Sequence, residues 1–502
     1  MKQLFRTKSI DALVKESEEP GKRLARTLGP WSLIALGVGA VIGSGIFTLT
    51  GTAAAGTVLS FPSVLHAPLL DWLLAGFGEI AAAGRPGAGP AIAVSFLLVA
   101  VACGFAALCY AELSSMIPVA GSAYTYAYAT LGEIFAWIIG WNLILEYAVS
   151  NMAVAAGFSA YFNDMLDGLF GFHLPKELSA PMIVNGEFTG SWFNLPALII
   201  LLILSWLLVR GVKEGAGANN FMVVVKVVAI LMFIIGASKA VDPAHWQPFA
   251  PNGFSGILSG AAIVFFTYIG FDSVSTAAEE CRNPSRDLPI GIVGALIACT
   301  LLYVSVCLVL TGIVDYRTLA NDAPVANALK AIGYDNLRRC VTIGALGGML
   351  SSLLVFQYGQ ARIWFAMSRD RLLPQAFSRI HPVHKTPHVS TWVAGLAVGI
   401  PAGIWDIGAF AELSNIGTLF AFALVSAGVI VMRHKEPDRP RGFRVPFSPW
   451  VPMLSVACCL ILMLGLPVAT WLRFFVWIGI GLAVYFLFSR RNTANHGAGF
   501  RQ

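Results

Sequence analysis

Charged side chains are scarce in this sequence. Only 12% of its 502 residues are Asp, Glu, Lys or Arg, about half the share in a soluble globular chain. A water-facing surface of ordinary composition is therefore excluded. The eight cysteines form no CxxC pair and no Cys/His cluster, which leaves a disulfide framework and a zinc site without support. His66, His381, His384 and His388 fall in loops and show no ligand spacing. No RNA- or DNA-binding pattern is present, and the net charge of +6 is dispersed over short loops, so nucleic acid is excluded as a partner. Residues 1–29 hold seven Lys/Arg and four Asp/Glu and lack the apolar core of a signal peptide. The first apolar run is expected to be an uncleaved anchor.

What the chain has instead is apolar length. Hydrophobic residues make up 57% of it, in repeated runs that reach the roughly 20 residues a helix needs to cross a bilayer. The fold class expected is an all-α polytopic membrane protein with twelve transmembrane helices. Spans are placed near 31–54, 90–113, 132–163, 193–212, 218–240, 256–280, 288–314, 338–367, 390–407, 410–433, 449–469 and 471–489. With the N-terminus cytoplasmic, 23 Lys/Arg fall in inside segments and 8 in outside ones. That bias fits the positive-inside rule and an even number of crossings, with segment 1–30 and tail 490–502 both cytoplasmic. The two remaining basic residues lie within spans. Arg362 is about one turn from an end and can snorkel, whereas Lys226, in FMVVVKVVAILMF, is far from both interfaces.

One string resists a plain membrane reading. GVGAVIGSGIF, residues 37–47, puts Gly37, Gly39, Gly43 and Gly45 inside the first span. A dinucleotide fingerprint would require a soluble βαβ unit, and none exists here. Gly39 and Gly43 form a GxxxG contact face, which leaves close packing as one reading. A helix break is the other, and a second interrupted run favours it. FFTYIGFDSVS, residues 265–275, places Ile269-Gly270 where the first run has Ile42-Gly43. Each broken run opens a group of five, 31–240 and 256–433, and 449–489 supplies two more helices. Paired Gly-interrupted segments at matching positions point to an inverted-repeat secondary transporter. Unwound backbone is tolerated in a bilayer only where it lines a cavity or is buried in protein. Freed N–H groups at a half-helix start suit a carboxylate, and carbonyls near Phe266, Thr267 and Ile269 suit an ammonium. Such a bipolar site fits an α-amino acid.

These residues carry a family resemblance. GVGAVIGSGIF, NNFMVVVKVVAILMF, FFTYIGFDSVSTAAEECRNPSRDLPIGI, MSRDRLLP and FAELSNIGTLFAF resemble the amino acid–polyamine–organocation superfamily. More narrowly, the chain is similar to the cationic amino acid transporter family in a bacterial-type form, over nearly all of residues 25–490. The resemblance implies five-plus-five inverted repeats, discontinuous helices 1 and 6, and alternating access. It implies substrate binding by Ile42, Gly43, Ser44, Gly45, Phe266, Thr267 and Ile269. It also implies a proton-coupling role for Lys226, held between the first, fifth and eighth spans, with Ser351 and Ser352 as its neighbours. Glu146, in GWNLILEY, is expected near the pocket or paired within the bundle, and Asn142 stands where related chains commonly show Asp.

The function expected is a permease importing L-amino acids, neutral or cationic or both, by proton symport across the bacterial inner membrane. An exchanger without proton coupling is the alternative. No cofactor and no metal are expected, the proton being the coupling ion. The expected partners are the substrate and the lipid bilayer; the sequence carries no signature of an accessory subunit. A membrane enzyme would need clustered Asp, His or Cys, and a channel a repeated filter. Asp272, beside the second break, is expected to satisfy freed backbone groups. Glu279, Glu280, Arg282 and Arg286 are read as loop or gate ion pairs. Segment 56–89 is read as a cap with no assigned function.

Overall fold

Apolar runs fold into helices here because a bilayer leaves backbone N–H and C=O groups no partner but each other. The structure, a computed structural model, describes residues 7, 9–11, 28–76, 82–119, 122–184, 187–210, 215–384 and 386–489. The tail 490–502 and most of segment 1–30 lie outside the described residues, as do the side chains of Glu279 and Glu280.

The first run forms two helices, α1 (Pro30–Val41) and α2 (Gly45–Ala55), bent by 50° at the break between them. Apart from the short helices Leu69–Leu74, Lys176–Ser179 and Pro324–Ala331, the next helices are α3 (Ile92–Met116), the nine-residue α4 (Ser122–Thr130), the long α5 (Glu133–Phe170), α6 (Leu195–Arg210) and α7 (Gly215–Ala237). Then come α8 (Gly253–Val264), α9 (Pro284–Ile313), α10 (Asp335–Arg369), α11 (His388–Ile404), α12 (Ile407–Lys435), α13 (Trp450–Leu464) and α14 (Val468–Val484). Among the described residues eight helical segments are long and apolar enough to cross a membrane. The α1–α2 pair makes a ninth, and α6, α11 and α13 are shorter apolar helices.

The centre of the bundle is α5, which packs on both α10 and α12, while α9 packs on α3 and α1. By contrast α14 lies at the periphery, with Leu472, Phe475, Val476 and Ile480 exposed as lipid-facing residues would be. Helix α4 falls in what the apolar runs mark as a loop. Its sequence SAYTYAYAT is too short and too polar to span, yet all nine residues are buried. Tyr124 and Tyr126 belong to the core, so aromatic burial and not hydropathy places this helix.

The segment after α2 is ordered by pairing. Strand β1 (Gly56–Ser63) runs antiparallel to β2 (Ala82–Pro86), with Thr57 opposite Arg85. Arg85 is buried and reaches Glu412 of α12 at 2.7 Å. Its other guanidinium nitrogen donates to Gly465 O at 3.1 Å, and Thr470 Oγ1 donates to the same carboxylate at 3.0 Å. The described part of the expected cap therefore ties the end of α2 to α12 and to the α13–α14 turn.

Candidate functional site

The first break begins where Ile42 turns extended, at φ −77° and ψ 91°. Its N–H still closes the last turn on Val38 O, at 3.0 Å, and Gly43 N–H folds back to Val41 O at 3.0 Å. Ser44 starts α2, and its carbonyl accepts from Phe47 and Thr48 at 3.0 and 2.9 Å. The N–H groups of Ser44, Gly45 and Ile46 donate to no backbone carbonyl among the described residues. Ser44 Oγ is likewise buried with no hydrogen-bond partner there. Four donors thus converge on the positive end of an eleven-residue helix, the local arrangement that favours an anion.

The second break follows α8. Residues Phe265–Tyr268 form a 3₁₀ turn, Ile269 is extended, and Phe271–Glu280 is again 3₁₀. Gly270 has φ +116°, a left-handed value that side chains disfavour. An added Cβ there would also stand 3.1 Å from the backbone of Ala40. The two breaks are in contact. A Cβ on Gly45 would meet Thr267 Cγ2 at 2.7 Å and Phe266 Cδ1 at 3.2 Å, so only glycine permits this approach. The packing reading of the glycines holds as well: a Cβ on Gly39 would meet Val223 of α7 at 2.8 Å.

Lys226 is fully buried. Its Nζ donates to Ile42 O at 2.7 Å and to Gly39 O. Gly348 of α10 lies against its stem, an added Cβ standing 2.9 Å from Lys226 Cβ. The lysine therefore sits between α1, α7 and α10. Ser352 Oγ donates to the same Ile42 carbonyl at 3.1 Å, and Ser351 is buried beside it. Freed carbonyls at the end of α1 are in this way answered by a cation and a hydroxyl from two other helices.

Glu146 stands apart from this cluster. It is buried, and its Oε2 has no hydrogen-bond partner among the described residues. One turn to either side, Asn142 donates to Gly417 O at 2.7 Å and Ser150 meets Ser414 Oγ at 2.8 Å. Positions 142, 146 and 150 share one helix face, so Glu146 belongs to the stripe directed at α12. Asp272 is buried behind the second break, with Ser122 Oγ at 3.5 Å from its carboxylate.

Two further residues escape the sequence reading. The Tyr303 hydroxyl of α9 lies 3.0 Å from both Val41 O and Thr267 O, one carbonyl from each break. The signal available was a lone phenol in the aliphatic run LLYVSV. Asn415 of α12 donates to Ala262 O at 2.7 Å, beside the end of α8. It sits inside FAELSNIGTLFAF, where its polarity amid apolar residues was visible but its target was not.

A helix-rich polytopic protein with a buried, bipolar pair of helix breaks has the architecture of a membrane permease. The comparisons with known proteins make the class specific: the amino acid permease family profile matches residues 28–488, and the chain belongs to that family, within the amino acid–polyamine–organocation superfamily. It is 46% identical to the branched-chain amino acid permease BcaP of Bacillus subtilis (strain 168), over 98% of each chain. It is 45% identical to the methylthioribose transporter of the same organism, over 98% of this chain and 99% of that one. To cationic amino acid transporter 9, chloroplastic, of Arabidopsis thaliana it is 38% identical, over 92% of this chain and 77% of the relative. The family and these relatives are transporters, not enzymes.

Proposed function

We propose that this protein imports L-amino acids across the plasma membrane of a bacterium by proton symport and alternating access, with both termini cytoplasmic. Twelve crossings in two inverted groups of five plus two is the arrangement we infer. It is supported by the eight long apolar segments, the bent pair and the three shorter apolar helices, each of which falls on one of the apolar runs.

The observation that carries the reading is the set of unpartnered donors at Ser44, Gly45 and Ile46, facing a second break that presents carbonyls. In this reading the substrate carboxylate docks on the free donors of Ser44, Gly45 and Ile46, beside Gly43, whose own N–H is held by Val41 O. Its ammonium is held by carbonyls of Phe266, Thr267 and Ile269, beside Ile42, whose own carbonyl is taken by Lys226 and Ser352. Lys226, with Ser351 and Ser352, holds the broken end of α1 in a charge-dependent way. Loss of its proton weakens the hold on Gly39 O and Ile42 O, which links protonation to the position of the half-helix. Glu146 is the acid available to a basic side chain or to a shared proton.

A neutral aliphatic side chain is our first choice. The B. subtilis branched-chain permease supports it, and Asn142 spends its amide on Gly417 where an acid would favour cations. Uptake of labelled leucine into proteoliposomes with an imposed pH gradient and an empty lumen tests the mechanism. Symport predicts accumulation, whereas an obligate exchanger stays silent. Competition by valine, arginine and methylthioribose then ranks the substrate classes that the relatives' names suggest.

A further inference from the structure

We propose that a cavity at the end of α10 is a binding site for a phosphate-bearing anion, either the headgroup of an anionic phospholipid or a soluble phosphate ester. The inference is independent of the transport mechanism. The cavity measures about 400 Å³ and is lined by Ser368, Arg371, Gln375, Ala376, Ser378 and Arg379. That volume falls in the range of small-ligand pockets, about 300–1,000 Å³.

Its walls are held in place from several sides. Leu372 and Leu373 are buried anchors, and Leu372 N–H returns to Met367 O at 2.9 Å. Ser368 Oγ donates to Pro374 O at 2.7 Å, and Ser378 Oγ to Gln375 O at 2.8 Å. From the end of α14, Ser489 Oγ donates to Leu372 O at 2.6 Å. Trp364 and Phe377 meet edge to face at 4.9 Å beneath the turn. A site so braced is formed before any ligand arrives.

The charges in it are unmatched. Elsewhere Arg338 pairs with Asp164 and Asp167, Arg433 and Arg441 with Glu112, and Arg439 with Glu436. Arg371 and Arg379 have no carboxylate partner among the described residues. Asp370, next in sequence, accepts from Tyr124 OH at 2.7 Å instead. Arg371 also has φ +60°, a left-handed backbone in which a non-glycine residue is uncommon and which concentrates at functional sites. Two guanidiniums on one polar cavity repel each other until an anion lies between them. Their forked donors match the oxygens of phosphate.

The surroundings favour the lipid source. Ile380 and Val383, just past Arg379, are 52% and 75% exposed. Apolar side chains standing free beside a basic pocket suit the boundary between acyl chains and headgroups. Helix α10 also carries Ser352, 16 residues before Ser368, or about 24 Å along the helix, so a ligand here clamps the same element that contacts the first break.

The test uses the full chain purified in neutral detergent. Native mass spectrometry measures retention of phosphatidylglycerol against phosphatidylcholine, and a second arm measures binding of labelled inorganic phosphate. We expect preferential retention of phosphatidylglycerol, weakened about tenfold to thirtyfold in the double variant Arg371→Gln/Arg379→Gln. The charge-preserving Arg371→Lys/Arg379→Lys should fall between, and Arg317→Gln, in a distant exposed loop, should match the parent. Phosphate binding lost in the Gln variant without a preference between the lipids would assign the site to a soluble ligand. Equal retention of both lipids, with phosphate binding unchanged in every variant, overturns the proposal. Should the double Gln variant aggregate, the single variants and the Lys pair decide by the same readouts.

Discussion

The ammonium of Lys226 lies 2.7 Å from the carbonyl oxygen of Ile42, at the point where α1 ends. A positive charge in the middle of a membrane-spanning helix is costly by about 2.5–3.5 kcal/mol on insertion scales, and here two backbone dipoles, from Gly39 and Ile42, offset part of it. Replacement by Met removes the charge and the hydrogen bonds together. Lys226→Met is expected to fold, by monodisperse size exclusion, with a lowered melting temperature, because Gly39 O loses this donor while Ile42 O keeps Ser352, a loss of about 1–3 kcal/mol. Uptake driven by a pH gradient should drop at least tenfold, and the residual transport should lose its pH dependence. An unaltered pH profile with full uptake would remove the coupling role.

Tyr303 gives a second test, because its hydroxyl reaches one carbonyl of each break. Tyr303→Phe leaves Val41 O and Thr267 O without that partner, at a cost of about 1–3 kcal/mol for buried groups left unsatisfied. The melting temperature should fall. If the substrate ammonium occupies Thr267 O, saturating leucine should stabilise the variant by a larger increment than it does the parent. Equal increments would place the ammonium elsewhere.

Asn142 tests whether its face of α5 reaches substrate. Placing there the acid that the family resemblance leads one to expect, Asn142→Asp, exchanges a donor for an acceptor opposite Gly417 O, now 2.7 Å away. Repulsion between the two oxygens should lower stability by about 1–3 kcal/mol, with no gain in arginine competition. A gain in arginine competition at unchanged stability would show that this face of α5 reaches substrate.

How much of this was legible beforehand follows from the length scale of each signal. Both breaks were readable because glycine clusters inside apolar runs have few physical explanations, and Lys226 because charge at mid-membrane has even fewer. The contacts that close the site were not. Tyr303 and Asn415 act across helices far apart in sequence, and a single phenol or amide carries no period or motif to say what it will face. Helix α4 was missed for a different reason: it is buried at one end of the bundle without crossing it, so hydropathy, which measures crossing, is blind to it. The family resemblance supplied the neighbourhood of Lys226 and α10, which spacing alone does not give.

The ion pair of Arg85 with Glu412 joins the segment after α2 to α12, and it is the contact where charge reversal is most informative. Arg85 has only 5% of its side chain exposed against 23% for Glu412, so the arginine is the more desolvated partner. Truncating either one leaves the other's charge in a poorly solvated place, which for buried pairs costs about 3–5 kcal/mol and less here because Glu412 is partly open. Glu412→Gln should therefore destabilise more than Arg85→Met, since it strands the more buried guanidinium with Gly465 O, whereas Arg85→Met leaves a partly solvated carboxylate still held by Thr470. The exchange Arg85→Glu/Glu412→Arg should recover part of the melting temperature lost by either reversal alone. Because the hairpin bridges the end of α2 and the start of α12, the single variants should also change the rate of leucine entry more than its half-saturation. Additive losses in the double exchange, with entry rates unchanged, would reduce the pair to a surface contact without mechanical consequence.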